Sequence, residues 1–224
     1  MEGDKYAEFS EGLRRYAELY ERGLKKQANA YIADFVQNFE KSGTEAEREA
    51  LLFRFCRDIC DGGGLAELAE RGNGLMPHAL ARIVWEYLIK ECAVHKMPQM
   101  RWIYQLFRSN STLFAPSGEP DIYAILEEAY ESPERDAKTA ELWLRELLRR
   151  LDYGSHEFPE ICLMPREFYE ETVAQAERVI KENDVPAELA AELEYYKKLY
   201  RCYDEYRASG GRRDFYELCK AAGI

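Results

Sequence analysis

The chain has 224 residues, of which 46% are hydrophobic and 33% charged, and its formal net charge is −11. Such a chain can form one large soluble domain or two small ones with a buried core. It contains no apolar run long enough for a membrane span. Its negative charge disfavours nucleic acid as a partner, because phosphate backbones would be repelled at long range.

The N-terminal segment is charged and amphipathic from its first residues and has no apolar signal core. This pattern predicts a cytoplasmic protein. In a reducing compartment cysteines are expected as free thiols rather than disulfides. The chain has six of them, Cys56, Cys60, Cys92, Cys162, Cys202 and Cys219.

The first half of the chain has a helical period. Apolar residues recur at spacings of three and four over 6–24 and again over 31–39. Thr44 and Glu47 then form a T-x-x-E capping box, which predicts the start of a helix running through Ile59.

Three glycines follow that helix in the stretch CRDICDGGG, residues 56–64. A phosphate-binding loop would need a preceding strand and a following lysine and hydroxyl residue, and none is present. The glycines instead predict a helix C-terminus, since glycine accepts the left-handed backbone found there. Residues 61–76 are interpreted as a mobile connection.

The least polar helical stretch is predicted over residues 77–95, with Pro77 at the first helical position. Arg82, Glu86 and Lys90 form a single narrow polar stripe, and almost every other position is apolar. A helix of this kind is expected to be buried on most sides. It is therefore predicted as the central helix of the fold.

Glu91 and His95 fall one turn apart on the face of this helix opposite the polar stripe. A carboxylate and an imidazole at this spacing are candidate catalytic residues, acting as an acid–base pair. The alternative is that His95 occupies the last helical turn, where the helix dipole and Glu91 favour its charged form without any substrate.

Four residues could form a tetrahedral metal site: Cys56, Cys60, Cys92 and His95, spaced C-x3-C and C-x2-H. Cysteine and histidine are the ligands of structural zinc sites. Zinc fingers, however, take their cysteine pairs from tight turns, whereas both pairs here lie in helical patterns. Burial of the thiols as small apolar side chains is the favoured interpretation.

Acidity is concentrated in residues 119–160, which carry twelve acidic and five basic side chains, a balance of −7. Ser132-Pro133 predicts the start of a helix over 133–152. The candidate binding residues on this acidic segment are Glu127, Glu128, Glu131, Glu134 and Glu141. Such a face could bind a basic protein, or could serve only solubility.

The longest connection without a helical pattern is predicted over 153–164, YGSHEFPEICLM. Long connections often carry functional residues. Cys162 and His156 in this segment are candidate catalytic residues, as a nucleophile and its base, and a metal site is the alternative.

Tyrosine is unusually frequent, with sixteen residues in the chain. Tyr196, Tyr200 and Tyr203 fall on one helical face. They are candidate binding residues because tyrosine is enriched at interface hot spots. The alternative is that these rings pack between helices with their hydroxyls reaching water.

Two further long helices are predicted near 165–183 and 187–208 and a short one near 212–222, and no strand pattern is found. The predicted fold is all-α, an array of antiparallel helical hairpins around the helix at 77–95. It is expected as a single domain over 1–224, with a possible loose subdivision into 1–118 and 119–224.

These patterns predict a non-catalytic acidic protein of the adaptor, inhibitor or immunity type that binds another, basic protein. The alternative is a small-molecule enzyme using Glu91 and His95 or the 153–164 loop. No metalloprotease, hydrolase, dinucleotide or EF-hand motif occurs, and no cofactor is predicted. Neither nucleic acid nor a membrane is expected as a partner, and the oligomeric state is left open.

Overall fold

The computed structural model describes residues 5–65, 76–109, 111–115 and 117–224. The regular secondary structure in these ranges is entirely helical, which confirms the predicted all-α class. The helices are α1 (Lys5–Glu21), α2 (Lys25–Lys41), α3 (Glu45–Asp61), α4 (His78–Cys92), α5 (Gln99–Phe107), α6 (Ser111–Phe114), α7 (Ile122–Glu131), α8 (Ala137–Ser155), α9 (Arg166–Glu182), α10 (Ala187–Ala208) and α11 (Phe215–Ala221). Among these described helices, none has the length and apolar character needed to cross a membrane.

Both ends of α3 follow the sequence signals. The Thr44 side chain accepts a hydrogen bond from the Glu47 amide, and the Glu47 carboxylate accepts one from the Thr44 amide. Gly62 ends the helix in the left-handed conformation, at φ 84°. The capping box and the glycine stop are therefore confirmed. Most of the connection predicted over 61–76 lies outside the described residues.

Three predicted helix boundaries are wrong. The helix predicted over 77–95 ends at Cys92. The helix predicted over 133–152 begins at Ala137, because Asp136 caps it by accepting a hydrogen bond from the Thr139 amide. This helix also continues to Ser155, so the connection predicted from residue 153 begins later.

The chain divides into two compact units, Met1–Ala129 and Tyr130–Ile224. The division falls inside α7, later than the subdivision considered at 118/119. That the whole chain behaves as one domain stays a prediction.

In the first unit, α4 packs against α2, α3 and α5. Val84, Trp85 and Leu88 on this helix are buried. The polar stripe of α4 lies at the surface, where Arg82 binds the carboxylates of Glu40 and Glu86 at 2.7 and 3.0 Å. A helix buried on most of its sides is thus observed, whereas its place at the centre of a hairpin array stays a prediction.

In the second unit, α8, α9 and α10 each pack against the other two. Their core includes Trp143, Leu147, Val179 and Leu193, all nearly inaccessible to solvent. The last helix, α11, packs on α10 through a smaller apolar cluster that contains Phe215. These helices place the candidate site described below.

Candidate functional site

The predicted acid–base pair does not form. Glu91 is buried in the last turn of α4, where its carboxylate accepts hydrogen bonds from Lys96 Nζ (2.7 Å) and Gln99 Nε2 (3.3 Å). His95 lies beyond the helix at φ 55°, and its Nδ1 pairs with the Glu128 carboxylate. The expectation that His95 occupies the last helical turn beside Glu91 is wrong, because α4 ends before reaching it.

The four predicted metal ligands are not brought together. Cys56, Cys60 and Cys92 are buried in the core, whereas His95 is largely exposed. Burial raises the pKa of the Cys92 thiol to about 12 and raises that of Cys56 well above its ordinary value. Across the described residues, no three His, Cys, Asp or Glu side chains are grouped so that they could hold a metal ion.

The predicted acidic binding face comprises Glu127, Glu128, Glu131, Glu134 and Glu141. Ion pairs occupy three of these carboxylates. Glu128 pairs with the imidazole described above, Glu131 with a guanidinium of α9, and Glu141 with Arg145 at 2.8 Å. Glu127 is half-buried, and Glu134 is exposed. Glu127 and Glu128 also belong to the first unit and the other three to the second.

The tyrosines of α10 serve mainly as packing residues. Tyr196 and Tyr200 are buried, so their prediction as surface contact residues is wrong. The Tyr200 hydroxyl donates a hydrogen bond to the Leu151 carbonyl (3.0 Å), and Tyr196 donates to Asp152 Oδ1 (3.1 Å). Burial raises the pKa of both phenols. These two bonds hold α10 to the last turns of α8.

Tyr203, which is half-buried, holds the connection between α8 and α9. Its ring stacks on Phe158, with ring centroids 4.1 Å apart, and its hydroxyl oxygen accepts a hydrogen bond from the Cys162 amide (3.1 Å). The Cys162 thiol lies 3.1 Å from the Met164 carbonyl, to which it donates. Cys162 is thus engaged within the connection itself.

Gly154 allows the connection to lie directly against the end of α8. The Leu163 amide donates a hydrogen bond to the Gly154 carbonyl (2.9 Å). A Cβ at position 154 would collide with the Tyr200 hydroxyl and lie 2.7 Å from Met164 Cβ. Only glycine therefore permits this close approach without a shift of its neighbours.

A cavity of about 700 Å³ lies between α8, this connection and α9. Its α8 wall contains the stripe Glu146, Arg150 and Tyr153, two turns long at spacings of four and three residues, with Arg149 and Asp152 beside it. The cavity is lined by Glu146, Arg149, Arg150, Asp152, Tyr153, His156, Leu163, Met164, Pro165, Phe168 and Thr172. Its volume is typical of a binding site.

Four large apolar side chains on and beside this cavity are exposed to solvent: Tyr153, Ile161, Leu163 and Phe168, here called the apolar patch. Tyr153 and Phe168 are 66% and 61% exposed, although both are aromatic. They stand on α8 and α9, and the other two lie on the connection between them. Exposed apolar groups gathered in one place are typical of interaction sites, whereas scattered ones are not.

The charges around the cavity fall into two groups. Those lining it balance, since two carboxylates face two guanidinium groups, and the buried Glu146 pairs with both Arg149 and Arg150. Three exposed carboxylates, here called the acidic rim, lie beside the apolar patch in sequence: Glu157, Glu160 and Glu167. Within the described residues none of the three has an ion-pair partner.

Sequence reasoning found part of this site. His156, predicted as a catalytic candidate, lines the cavity, but Cys162 does not. The apolar patch was missed because Ile161 and Leu163 follow no helical or strand period. The signal that could have revealed the patch was the presence of large apolar residues in a connection that has no helical or strand periodicity.

Comparison with known proteins adds no assignment to this site. No protein-family model, no curated protein and no solved structure matches the chain. The function is therefore argued from the geometry of the cavity, the apolar patch and the acidic rim.

Proposed function

We propose that this protein is a non-catalytic binding protein that takes a basic protein partner on the apolar patch and acidic rim. The observation that carries the proposal is that three exposed apolar side chains, Tyr153, Leu163 and Phe168, line one cavity, with the exposed Ile161 two residues from Leu163 in the same connection. Their removal from water would favour association by about 25 cal/mol per Å² of apolar surface buried. Exposed apolar side chains gathered in this way support an interaction site that a partner covers.

The acidic rim indicates the charge of that partner. Its three carboxylates are exposed and have no ion-pair partner in the described part of the chain, while the charges lining the cavity balance. A partner with lysine or arginine beside an apolar segment would match this arrangement, and complementary charge raises association rates and selects partners. The proposed binding site thus keeps the basic partner expected from the sequence and moves its docking place from the glutamates of 127–141 to residues 153–168.

The test is a photo-crosslinking experiment in native lysate. A benzophenone amino acid placed at Phe168 is expected to give a discrete crosslinked protein whose yield falls as salt is raised. The same probe at Tyr216, an aromatic residue of the second unit that is 70% exposed, serves as the matched control. Identical products from both positions, or no product from Phe168, would contradict the proposal.

The enzyme alternative has less support from the described residues. Glu91 and His95 point to different partners, and Cys162 is bonded within the connection. His156 is the one predicted catalytic residue that lines the cavity. A small-molecule substrate turned over by the protein, with loss of turnover in His156→Ala, would favour this alternative.

A further inference from the structure

The arrangement of helices around the cavity defines what could fill it. In the second unit α8, α9 and α10 pack pairwise, as three helices of a bundle do. The cavity is lined by α8, α9 and their connection, and no residue of α10 lines it. The third helix, α10, therefore leaves this groove between α8 and α9 uncovered. This is the position that a fourth helix occupies in a four-helix bundle.

The dimensions of the groove suit a helix. The α8 stripe runs from Glu146 to Tyr153, which corresponds to roughly 10 Å along a helix axis, and α9 contributes Phe168 and Thr172, one turn apart. Side chains at these spacings form ridges, and such ridges pack against the side chains of a neighbouring helix.

Backbone hydrogen bonding also favours a helix over an extended segment. The described residues offer no strand edge to which an extended peptide could bond. An extended segment on the apolar patch would leave backbone N–H and C=O groups without partners, which is costly on an apolar surface. A helix satisfies these groups internally and presents only side chains.

We infer that the groove between α8 and α9 binds an amphipathic α-helix of the partner, whose apolar stripe covers the apolar patch and whose flanking lysines or arginines meet the acidic rim. This inference rests on the proposed function, since it names the partner element for the same site. The partner helix completes a four-helix bundle with α8, α9 and α10, and its apolar residues recur at i, i+3, i+4 and i+7.

Charge complementarity determines which charged residues should flank the apolar stripe of that helix. The rim carries three unpaired carboxylates, Glu157, Glu160 and Glu167, and the cavity lining is neutral overall. Basic flanks therefore gain attraction at the rim without meeting a net positive charge in the cavity. Acidic flanks would be repelled.

The experiment measures binding of synthetic eighteen-residue peptides (about five turns) to the full chain by fluorescence anisotropy. The first peptide has a leucine stripe at helical spacing with lysine flanks. The second has the same stripe with glutamate flanks, and the third has the composition of the first with the stripe scrambled. Only the first is expected to bind measurably, and circular dichroism should show that it gains helix on binding.

Variants of the protein locate the site. Tyr153→Ser with Phe168→Ser should weaken binding of the first peptide at least tenfold, because two anchors of the apolar patch are lost. Tyr216→Ser, which removes an equally exposed aromatic ring elsewhere in the second unit, should leave it unchanged. All three positions are exposed, so folding is expected to be retained.

A second set of variants tests the rim. Neutralising it by Glu157→Gln, Glu160→Gln and Glu167→Gln should weaken binding about tenfold at low salt and less at high salt. The matched control neutralises three exposed carboxylates beyond the other end of α9, by Asp184→Asn, Glu188→Gln and Glu192→Gln. The control should change the affinity less than threefold, or about 0.6 kcal/mol.

The outcomes separate this inference from the proposed function. If the scrambled or acidic peptide binds as tightly as the first, or the bound peptide gains no helix, the helix inference is overturned. It is also overturned if the chain self-associates and Phe168→Ser abolishes that association, since a second copy then fills the groove. If the peptide results overturn the helix inference but crosslinking at Phe168 still yields a salt-sensitive partner, the proposed function survives. If no such partner is found, the proposed function fails together with the inference.

Discussion

Gly154 lies where the end of α8, the following connection and α10 meet within the second unit. A glycine inside a helix ordinarily costs stability relative to alanine. Here the absence of a side chain lets the Tyr200 hydroxyl reach the Leu151 carbonyl and lets Met164 pack close to the helix. The glycine at position 154 therefore determines how closely the connection that carries Ile161 and Leu163 lies against α8.

Gly154→Ala is expected to destabilise the protein by about 1–3 kcal/mol, because the added methyl group overpacks a filled site. Urea unfolding followed by circular dichroism measures the change. Adding Tyr200→Phe should recover part of the loss, since the hydroxyl that the methyl group meets is removed. A net gain in stability would show that helix propensity outweighs the collision and that the close approach is unimportant.

Leu88 and Arg82 on α4 offer a matched pair of truncations in the first unit. Leu88 is fully buried, so Leu88→Ala should lower the free energy of unfolding by about 2–5 kcal/mol. Arg82 lies at the surface with two exposed ion pairs, so Arg82→Ala should cost about 1 kcal/mol or less. Equal small losses in urea unfolding would contradict the observed burial of this helix.

Glu47, a residue of the capping box at the start of α3, has a lowered pKa. Glu47 accepts hydrogen bonds from Lys5 Nζ and from the Thr44 amide, and these bonds lower its pKa to about 2. Because the pKa is lowered in the folded state, the carboxylate stabilises the fold at neutral pH. That contribution is lost as the pH falls from about 4.5, the ordinary glutamate value, through 2.

Carbon-detected NMR of the Glu47 side chain should give a titration midpoint near 2. Lys5→Ala should move the midpoint upward, since the largest cause of the shift is the bond from Lys5. Lys26→Ala, a change of the same kind at an exposed residue of α2, should leave it in place. An unchanged midpoint in Lys5→Ala would mean that the bond between α1 and α3 is absent in solution.

Local capping signals located both ends of α3, whereas the equally local Asp136 cap of α8 was missed in favour of Ser132-Pro133. Thr44 with Glu47 and the glycine at 62 act within one turn, so the sequence alone located both ends of α3. The continuation of α8 to Ser155 passes Gly154, which reads locally as a helix stop. It depends on contacts with α10, which are distant in sequence. No period in the sequence carries that information.

The candidate site was predictable only in part for the same reason. The sequence identified the segment after α8 as a functional candidate through His156 and Cys162. The cavity, however, arises because Tyr200 and Tyr203 hold that segment in place, and these tyrosines were assigned to a surface of their own. Likewise, the ion pairs of Glu128 and Glu131 could not be predicted, because their partners, His95 and Arg178, lie far from them in sequence.

At the scale of the whole molecule, the net charge of −11 attracts a basic partner wherever it docks, so charge alone does not identify the docking place. Two sets of three reversals separate a general field from a local one. The first set alters the acidic rim by replacing Glu157, Glu160 and Glu167 with lysine. The second set alters the acidic face predicted from the sequence by replacing Glu127, Glu128 and Glu134 with lysine. Each set changes the net charge by +6, from −11 to −5.

The association rate of the lysine-flanked helical peptide, measured by stopped-flow fluorescence at rising salt, distinguishes the two. Both variants lose the same share of the long-range attraction for the basic peptide, because their net charges are equal. Only the rim variant also places repulsive charge beside the bound helix. The rim variant is therefore expected to associate about tenfold more slowly than the face variant at low salt, with the difference shrinking as the Debye length falls. Equal association rates for the two variants would show that the overall negative charge, and not the rim, attracts the peptide. Slower association of the face variant would show that the peptide docks at the glutamates of 127–134.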